Sequence, residues 1–498
     1  MHVRVAVIGA GFGGLGAAVC LRRAGVTDFV VLERAGAVGG TWRDNTYPGC
    51  ACDVPSHLYS FSFAPHPRWP RNFARQPHIL AYLEWVADTY GLRPHIRLDS
   101  EVKSARWDDD ALRWAIGTSS GDLTADVIVA ATGPLSEPAL PEVPGLDHFP
   151  GRVFHSARWD HGHRLRGRRV AVVGTGASAV QFVPEIEREV TELTVFQRTP
   201  PWVIPRADRA ISDAERWMHG RFPFTRALRR HLLRGVRETH GGAFTGHPDL
   251  MRALEGLARV HLRRSVRDPA LRRALTPDYR IGCKRILLSN DWYPALQKPH
   301  VRLVAAGLRE VRGSTLVAAD GREAEADTIV FGTGFRVTDV PIAHRVTNGA
   351  GLTLAEEWRE GMAALRGTTA AGFPNFLTII GPNTGLGHTS MILIIEAQLQ
   401  YLAHYMETLD ALGKGAGPGG RSGEPGRAAL TPRREAVAAW NARLQRRLAR
   451  SVWNSGGCDS WYLDSRGRNT TIWPGSTGEF ARSTRTLDLS EYEVLRHG

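Results

Sequence analysis

The chain has 498 residues, too many for one ordinary hydrophobic core, so two or three domains are expected. With 43% hydrophobic and 23% charged residues, and 53 glycines marking many tight turns, its composition is that of a folded protein and not of a disordered one. The net charge of +13 comes from arginine spread along the chain, since Lys103, Lys284, Lys298 and Lys414 are the only lysines; no basic run is interleaved with aromatics, and no nucleic-acid partner is expected.

Val3 to Ile8 is a short β-branched run, followed by the turn Gly9-Ala-Gly11-Phe-Gly-Gly14, a helical stretch to Arg23 and a strand from Phe29 to Leu32. Strand, glycine turn, helix and strand in that order form the context a dinucleotide fingerprint requires. Gly9 permits the tight turn, Gly11 lets the backbone approach a pyrophosphate, and Gly14 lets helix and strand pack closely. The helix N-terminus then offers unpaired N–H groups to phosphate. Glu33, 19 residues after Gly14, ends the second strand, where a carboxylate accepts hydrogen bonds from ribose hydroxyls. This apolar N-terminus beside Arg4 also has the composition of a signal-peptide core, but the fingerprint accounts for its glycines. No run of about 18 uninterrupted apolar residues occurs elsewhere, so a soluble, cytoplasmic protein with no membrane partner is expected.

The layout recurs. Arg169 to Val173 leads into Gly174-Thr-Gly176-Ala-Ser-Ala179, a helix, and a strand from Leu193 to Phe196; Arg198 lies 19 residues after Ala179. An acid ends the first copy and an arginine the second. A carboxylate repels a 2′-phosphate, whereas a guanidinium binds it through charge-assisted hydrogen bonds. The first site should hold an unphosphorylated adenosine, as in FAD or NAD, and the second NADPH. Both modules close on one pattern, Asp126-Val-Ile-Val-Ala-Ala-Thr-Gly133 and Asp327-Thr-Ile-Val-Phe-Gly-Thr-Gly334, which points to internal duplication and to parallel sheets covered on both faces.

Between the halves of the second module, about residues 206–280, lies an arginine-rich helical insertion whose charge run reads most simply as a solvated helix face, with a wall over a substrate cavity as the alternative. After Gly334 the chain returns to the first domain. Phe376 to Ile380 is a strand, residues 381–388 form a glycine-rich turn containing Asn383, and Thr389 to Met406 is a helix capped by Thr389 or Ser390, its N-terminus facing the electron-rich edge of a reduced flavin. Residues 412–428 are rich in Gly and Pro and read as a flexible surface loop. The fold class is therefore α/β, with two Rossmann-like dinucleotide-binding domains and a helical insertion. The expected division is 1–140 for the first domain, 141–165 for a connector, 166–335 for the NADPH-binding domain, and 336–498 for the second part of the first domain with C-terminal loops.

The five cysteines form no CxxC pair and no zinc spacing, which predicts a reducing compartment, no metal and no dithiol chemistry, with Cys50 and Cys52 as packed thiols. A flavin with NADPH and no dithiol leaves oxygen as the acceptor. Productive oxygen chemistry then needs a fixed cation against developing negative charge.

Two further motifs carry a resemblance. Phe149-x-Gly151-x-x-x-His155-x-x-x-Trp159-Asp160 and Gly39-Gly40-Thr41-Trp42-x-x-x-x-Tyr47-Pro48-Gly49-x-x-x-Asp53 are both complete, and the chain resembles the type I Baeyer–Villiger monooxygenases from the first glycine motif to about residue 390. The resemblance implies FAD and NADPH as cofactors and a ketone, or a sulfide, with O2 as substrates. It implies reaction through a C4a-peroxyflavin and a tetrahedral Criegee adduct to an ester or lactone. By the same resemblance, Arg285 stabilises the peroxide and the adduct, and Asp53 orients Arg285. Lys284, Arg198 and Thr199 take the 2′-phosphate, while His155 and Trp159 couple cofactor movement between domains. The competing readings are heteroatom oxygenation at sulfur or nitrogen, a plain NADPH oxidase, and a non-catalytic nucleotide-binding protein of the same fold. Substrate identity and oligomeric state are not legible. Trp453, Trp461, Tyr462 and Trp473 are expected to line a pocket or to pack a core, with Trp461 placed nearest the site.

Overall fold

The computed structural model describes residues 1–245, 248–414 and 427–496. His2–Ile8 (β1), the helix Phe12–Arg23, Phe29–Leu32 (β2), the helix Gln76–Thr89, Ile96–Arg97 (β3), Val102–Asp108 (β4), Arg113–Thr118 (β5) and Leu123–Ala130 (β6) make up the first part. The strands β1 and β2 and the C-terminal half of β6 are buried on both faces, and β1 pairs parallel with both of the others. By contrast β4 alternates buried and exposed residues, as suits its antiparallel pairing with β5.

The chain then forms Arg152–His155 (β7), Arg169–Val173 (β8), the helix Ala177–Ile186, Glu192–Phe196 (β9) and Val203–Ile204 (β10). Four helices follow, Asp213–Arg221, Pro223–Thr245, Pro248–Ser265 and Pro269–Ala274, before Leu287–Leu288 (β11) and Val301–Val304 (β12). A three-stranded antiparallel unit of Leu308–Arg312 (β13), Thr315–Ala318 (β14) and Glu323–Glu325 (β15) precedes Thr328–Phe331 (β16). The second sheet is wholly parallel, in the order β12-β9-β8-β16-β7.

The remaining chain returns to the first sheet. Val346–Thr347 (β17) pairs with β4, and Phe376–Thr378 (β18) pairs with the C-terminal half of β6, whose N-terminal half pairs with β5. The helix Met391–Lys414 packs on the helix Phe12–Arg23, and Ala428–Pro432 (β19) pairs with Tyr492–Arg496 (β20). That helix starts two residues later than expected, with the Ser390 hydroxyl accepting from the Ile392 N–H at 3.3 Å, and runs eight residues further. Of the expected flexible loop at 412–428, residues 415–426 lie outside the described residues; Leu412 to Lys414 close the helix.

Duplication shows in a shared close approach. A Cβ on Gly9 would lie 2.7 Å from the Ala131 carbonyl oxygen, and one on Gly174 would lie 2.6 Å from that of Gly332, the matching residue of the second module; both glycines have φ near +100°. In the first module a Cβ on Gly14 would overlap the Gly9 carbonyl oxygen, whereas the second tolerates Ala179.

The expected connector at 141–165 is not all linker. Residues 152–155 form the edge strand β7, in register with β16 so that His155 opposes Phe331. Four residues whose partner lies over 170 positions downstream give no local signal of pairing. Gly151 is required by that pairing, because a Cβ there would overlap the Asp327 carbonyl oxygen and lie 2.6 Å from the Phe149 ring. Gly151→Ala should therefore destabilise the protein by about 1–3 kcal/mol through overpacking, seen as a lowered thermal midpoint. An unchanged midpoint would remove this account of the motif's glycine.

Candidate active site

The first glycine turn opens on a cavity of about 310 Å³ between the first sheet and the C-terminal segment. The candidate residues Gly9, Gly11, Glu33, Gly40, Thr41, Trp42 and Arg285 line it. Gly40, with φ +52°, brings its backbone against Gly11, where a Cβ would stand 3.1 Å from the Gly11 Cα. The helix Phe12–Arg23 starts at Gly11 without a side-chain cap, so its first N–H groups have no intrahelical partner, and Gly11, Phe12 and Gly13 line the cavity. The helix Ala177–Ile186 starts in the same way at Gly176. Glu33 is 4% exposed; its carboxylate accepts from the Ala10 N–H at 2.8 Å, the Ala35 N–H at 3.0 Å and Arg43 Nη1 at 2.8 Å. It therefore braces the glycine turn from the position expected of a ribose ligand.

Asp53 and Arg285, 232 residues apart, meet at this cavity in a bidentate pair: Nε to Oδ2 and Nη2 to Oδ1, both 2.7 Å. Asp53 stands on the loop after Tyr47. Arg285 stands two residues before β11, which is held parallel to β10 with the Leu287 N–H donating to the Trp202 carbonyl at 2.9 Å. Burial raises the Asp53 carboxyl, but the charge and hydrogen bonds of Arg285 outweigh it and hold the group below the usual carboxylate range. Asp53's charge foremost pushes Arg285 up. With side chains 33% and 27% exposed, the pair lies between a surface bridge, worth about 0–1 kcal/mol, and a buried one, whose rupture costs about 3–5 kcal/mol.

Two cations converge beside the second turn. Lys284 is lowered by burial first and then by the charge of Arg198, so these cations from separate segments lie within reach of each other's field. Lys284 Nζ also sits 5.2 Å from the Tyr279 ring centroid. Neither cation makes an ion pair among the described residues, and the Thr175 hydroxyl donates to the Thr199 carbonyl next to Arg198 at 3.3 Å.

The fingerprint residues face the domain boundary. Trp159 packs between Phe154 and Phe182 at centroid distances of 5.2 and 5.3 Å, and Phe182 in turn meets Tyr47 of the first domain at 6.0 Å. Asp160 closes the turn, accepting from Arg152 Nε at 2.7 Å and from the Gly162 N–H at 3.0 Å. Phe149 is buried in the core of the second domain. His155 is buried, its Nδ1 accepting from the Ala157 N–H at 3.1 Å; it touches neither Asp53 nor Arg285.

A family model described as pyridine nucleotide-disulphide oxidoreductase matches residues 6–213. A Baeyer–Villiger monooxygenase of Streptomyces coelicolor is 66% identical over 495 residues, covering 99% of this chain and 93% of that one. The chain belongs to the Baeyer–Villiger monooxygenase family. Among solved structures, cyclohexanone monooxygenase from Rhodococcus sp. Phi1 bound to NADP⁺ superposes with a TM-score of 0.86 at 27% identity, covering 99% of both chains. OTEMO in complex with FAD and NADP gives 0.85 at 25% identity, again over 99% of both.

Several features of this Baeyer–Villiger monooxygenase differ from expectation. Cys283 and Cys458 form a disulfide across 175 residues, with Cα atoms 6.2 Å apart. The pair is made by tertiary proximity, which short sequence spacings do not show, and the expectation of a reducing compartment loses its support. The bond lies outside the cavity lining and outside residues 6–213. Cys50 and Cys52 are buried free thiols, as expected. Asn383 does not line the cavity. At φ +54° it donates through Nδ2 to the Asn469 and Ile472 carbonyls at 2.8 and 3.1 Å, and so fastens the turn to the C-terminal segment. Trp461 reaches the cavity, whereas Trp453, Tyr462 and Trp473 are buried core.

Gln181, a helix residue that belongs to no motif, clamps the domains together. Its Oε1 accepts from the Tyr47 hydroxyl at 3.1 Å and the Ala51 N–H at 3.2 Å, while its Nε2 donates to the Ala51 carbonyl at 3.0 Å. A polar residue on an otherwise apolar helix face was the available signal. Arg206 likewise donates to the Cys52 carbonyl beside Asp53 at 3.1 Å.

Burial, and then Arg158, pushes the His155 imidazole down to about 4 from its ordinary 6.5. The folded chain therefore binds this proton less readily than the unfolded one, and stability falls as pH drops through the window between those values, by at most roughly 3 kcal/mol. His155→Gln should lose less of its melting temperature than the parent between about pH 6.5 and 4; an equal loss would show that His155 is not held neutral.

Proposed function

We propose that this enzyme uses FAD and NADPH to insert one oxygen atom of O2 into a ketone, giving an ester or lactone. The observation that carries the reading is the Asp53–Arg285 pair, which sets a guanidinium from the second domain at the cavity of the first.

The residues present fit both cofactors. Gly9, Gly11 and Gly40 line the cavity with backbone that carries no side chain, and the uncapped helix N–H groups beside them suit a diphosphate. Glu33 accepts from hydroxyls of an unphosphorylated ribose, and Arg198 with Lys284 answers the two negative charges of a 2′-phosphate. Bound FAD, once reduced by NADPH, supplies the oxygen-activating chemistry.

The chain's own part is electrostatic. Of the five N–H groups of Arg285, Asp53 takes two, leaving three to face negative charge that develops on a carbonyl oxygen in the cavity. Ionised Asp53 fixes the guanidinium plane, so little reorganisation is needed as the charge appears. His155 is buried on β7, which pairs with β16 of the same sheet, and its part is to position that edge strand without moving a proton in the reaction.

Loss of one such donor costs about 10²–10³ in rate. In Arg285→Ala, ester formation from a ketone should fall by at least that factor while NADPH still bleaches the flavin absorbance. Oxygenation at the parent rate would overturn the assignment of Arg285.

A further inference from the structure

The insertion helix Pro223–Thr245 is inside out. Its arginines face the protein: Arg226 Nη1 donates to the Pro65 carbonyl at 3.1 Å, Arg229 Nη2 to Asn72 Oδ1 at 3.2 Å, and Arg230 to the Ser60 carbonyl at 2.6 Å and to Glu396 at 3.0 Å. The expected solvated charge run is thus a docking face onto the first domain. Residues spaced four apart on the opposite side form the exposed ridge: Phe224 is 67% exposed, Leu228 56%, Leu232 62% and Val236 60%. Trp217, 66% exposed, and Phe222 extend the ridge at its N-terminal end, with ring centroids 6.0 Å apart. A soluble surface does not leave a continuous aliphatic and aromatic ridge of this kind without an occupant.

Charge decides which occupant. Residues 206–280 contain 17 arginines and 8 acids, a net +9 of the chain's +13, and of those arginines Arg226, Arg229 and Arg230 face inward. Arg221 lies with its guanidinium 5.6 Å from the Phe222 ring centroid. Arg263 and Arg264, on the helix packed against the ridge helix, are exposed and make no ion pair among the described residues. A second copy seated on this ridge would bring two such positive surfaces together. No helix is long and apolar enough to cross a membrane among the described residues, so the contact is one of lying on a surface. An aromatic and aliphatic face flanked by arginine is the pattern of a helix that settles at the interface of an anionic bilayer.

We propose that the ridge Trp217, Phe222, Phe224, Leu228, Leu232 and Val236 docks this protein reversibly on anionic phospholipid bilayers. The proposal departs from the expectation of no membrane partner. It rests on the surface alone and is independent of the reaction assigned to the cavity.

The test is co-sedimentation of the full-length, FAD-loaded protein with vesicles of mixed phosphatidylglycerol and phosphatidylcholine, against pure phosphatidylcholine vesicles, at low and high salt. The parent should pellet with the anionic vesicles, and the bound fraction should fall on the order of tenfold with neutral vesicles or in high salt. L228E/L232E should fall as far while keeping its flavin and its NADPH oxidation, since neither leucine lines the cavity. Three results would each overturn the proposal: a parent that stays in solution with anionic vesicles, a double variant that pellets as well as the parent, or a parent that elutes as a dimer which L228E/L232E splits.

Discussion

The pair of hydrogen bonds between Asp53 and Arg285 is the contact on which the rest of the site depends, because its two ends come from different domains. Arg285 leaves the second domain just before a two-stranded parallel ladder; Asp53 leaves the first on a loop held by Gln181 of the second. Any relative movement of the domains at this seam is felt as misalignment of a guanidinium. In the proposed reaction, fixing that group beforehand is what would make its charge useful, since a mobile cation would spend its interaction energy on becoming ordered.

The surroundings support that constraint from several directions. Aromatic packing from Tyr47 through Phe182 and Trp159 to Phe154 spans the seam beside it. The inward arginines of the insertion tie a third element to the first domain. Asn383 and the Cys283–Cys458 bond fasten the C-terminal segment to the glycine-rich turn and to the segment that carries Arg285. The cavity is thus enclosed by pieces from three stretches of chain, each anchored by polar contacts and not by a common core alone.

Much of this was legible in the amino-acid order. The glycine turns were readable because only backbone without Cβ fits where Gly9 and Gly174 pass a neighbouring carbonyl, and the duplicated DxIVxxTG strands were readable because parallel central strands must be apolar on both faces. Arg285 and Asp53 were reached through resemblance, since nothing in their local sequence separates them from surface charge. Tertiary proximity hid the remainder. The strand β7 is too short to announce its partner, and Cys283 and Cys458 lie 175 residues apart. The insertion misled in a more instructive way: its charge periodicity was plain, but sequence gives the two faces of a helix without saying which one looks inward, and here the polar face does.

The central claim is that this cavity delivers an oxygen atom from O2 to a carbonyl compound at the expense of NADPH. It is tested most directly by turning over the FAD-loaded protein with NADPH, a panel of cyclic, linear and aryl ketones, and ¹⁸O-labelled dioxygen, with products identified by mass. An ester or lactone carrying one labelled oxygen atom is the predicted result. NADPH consumption accounted for entirely by hydrogen peroxide, with every ketone recovered unchanged, would contradict it.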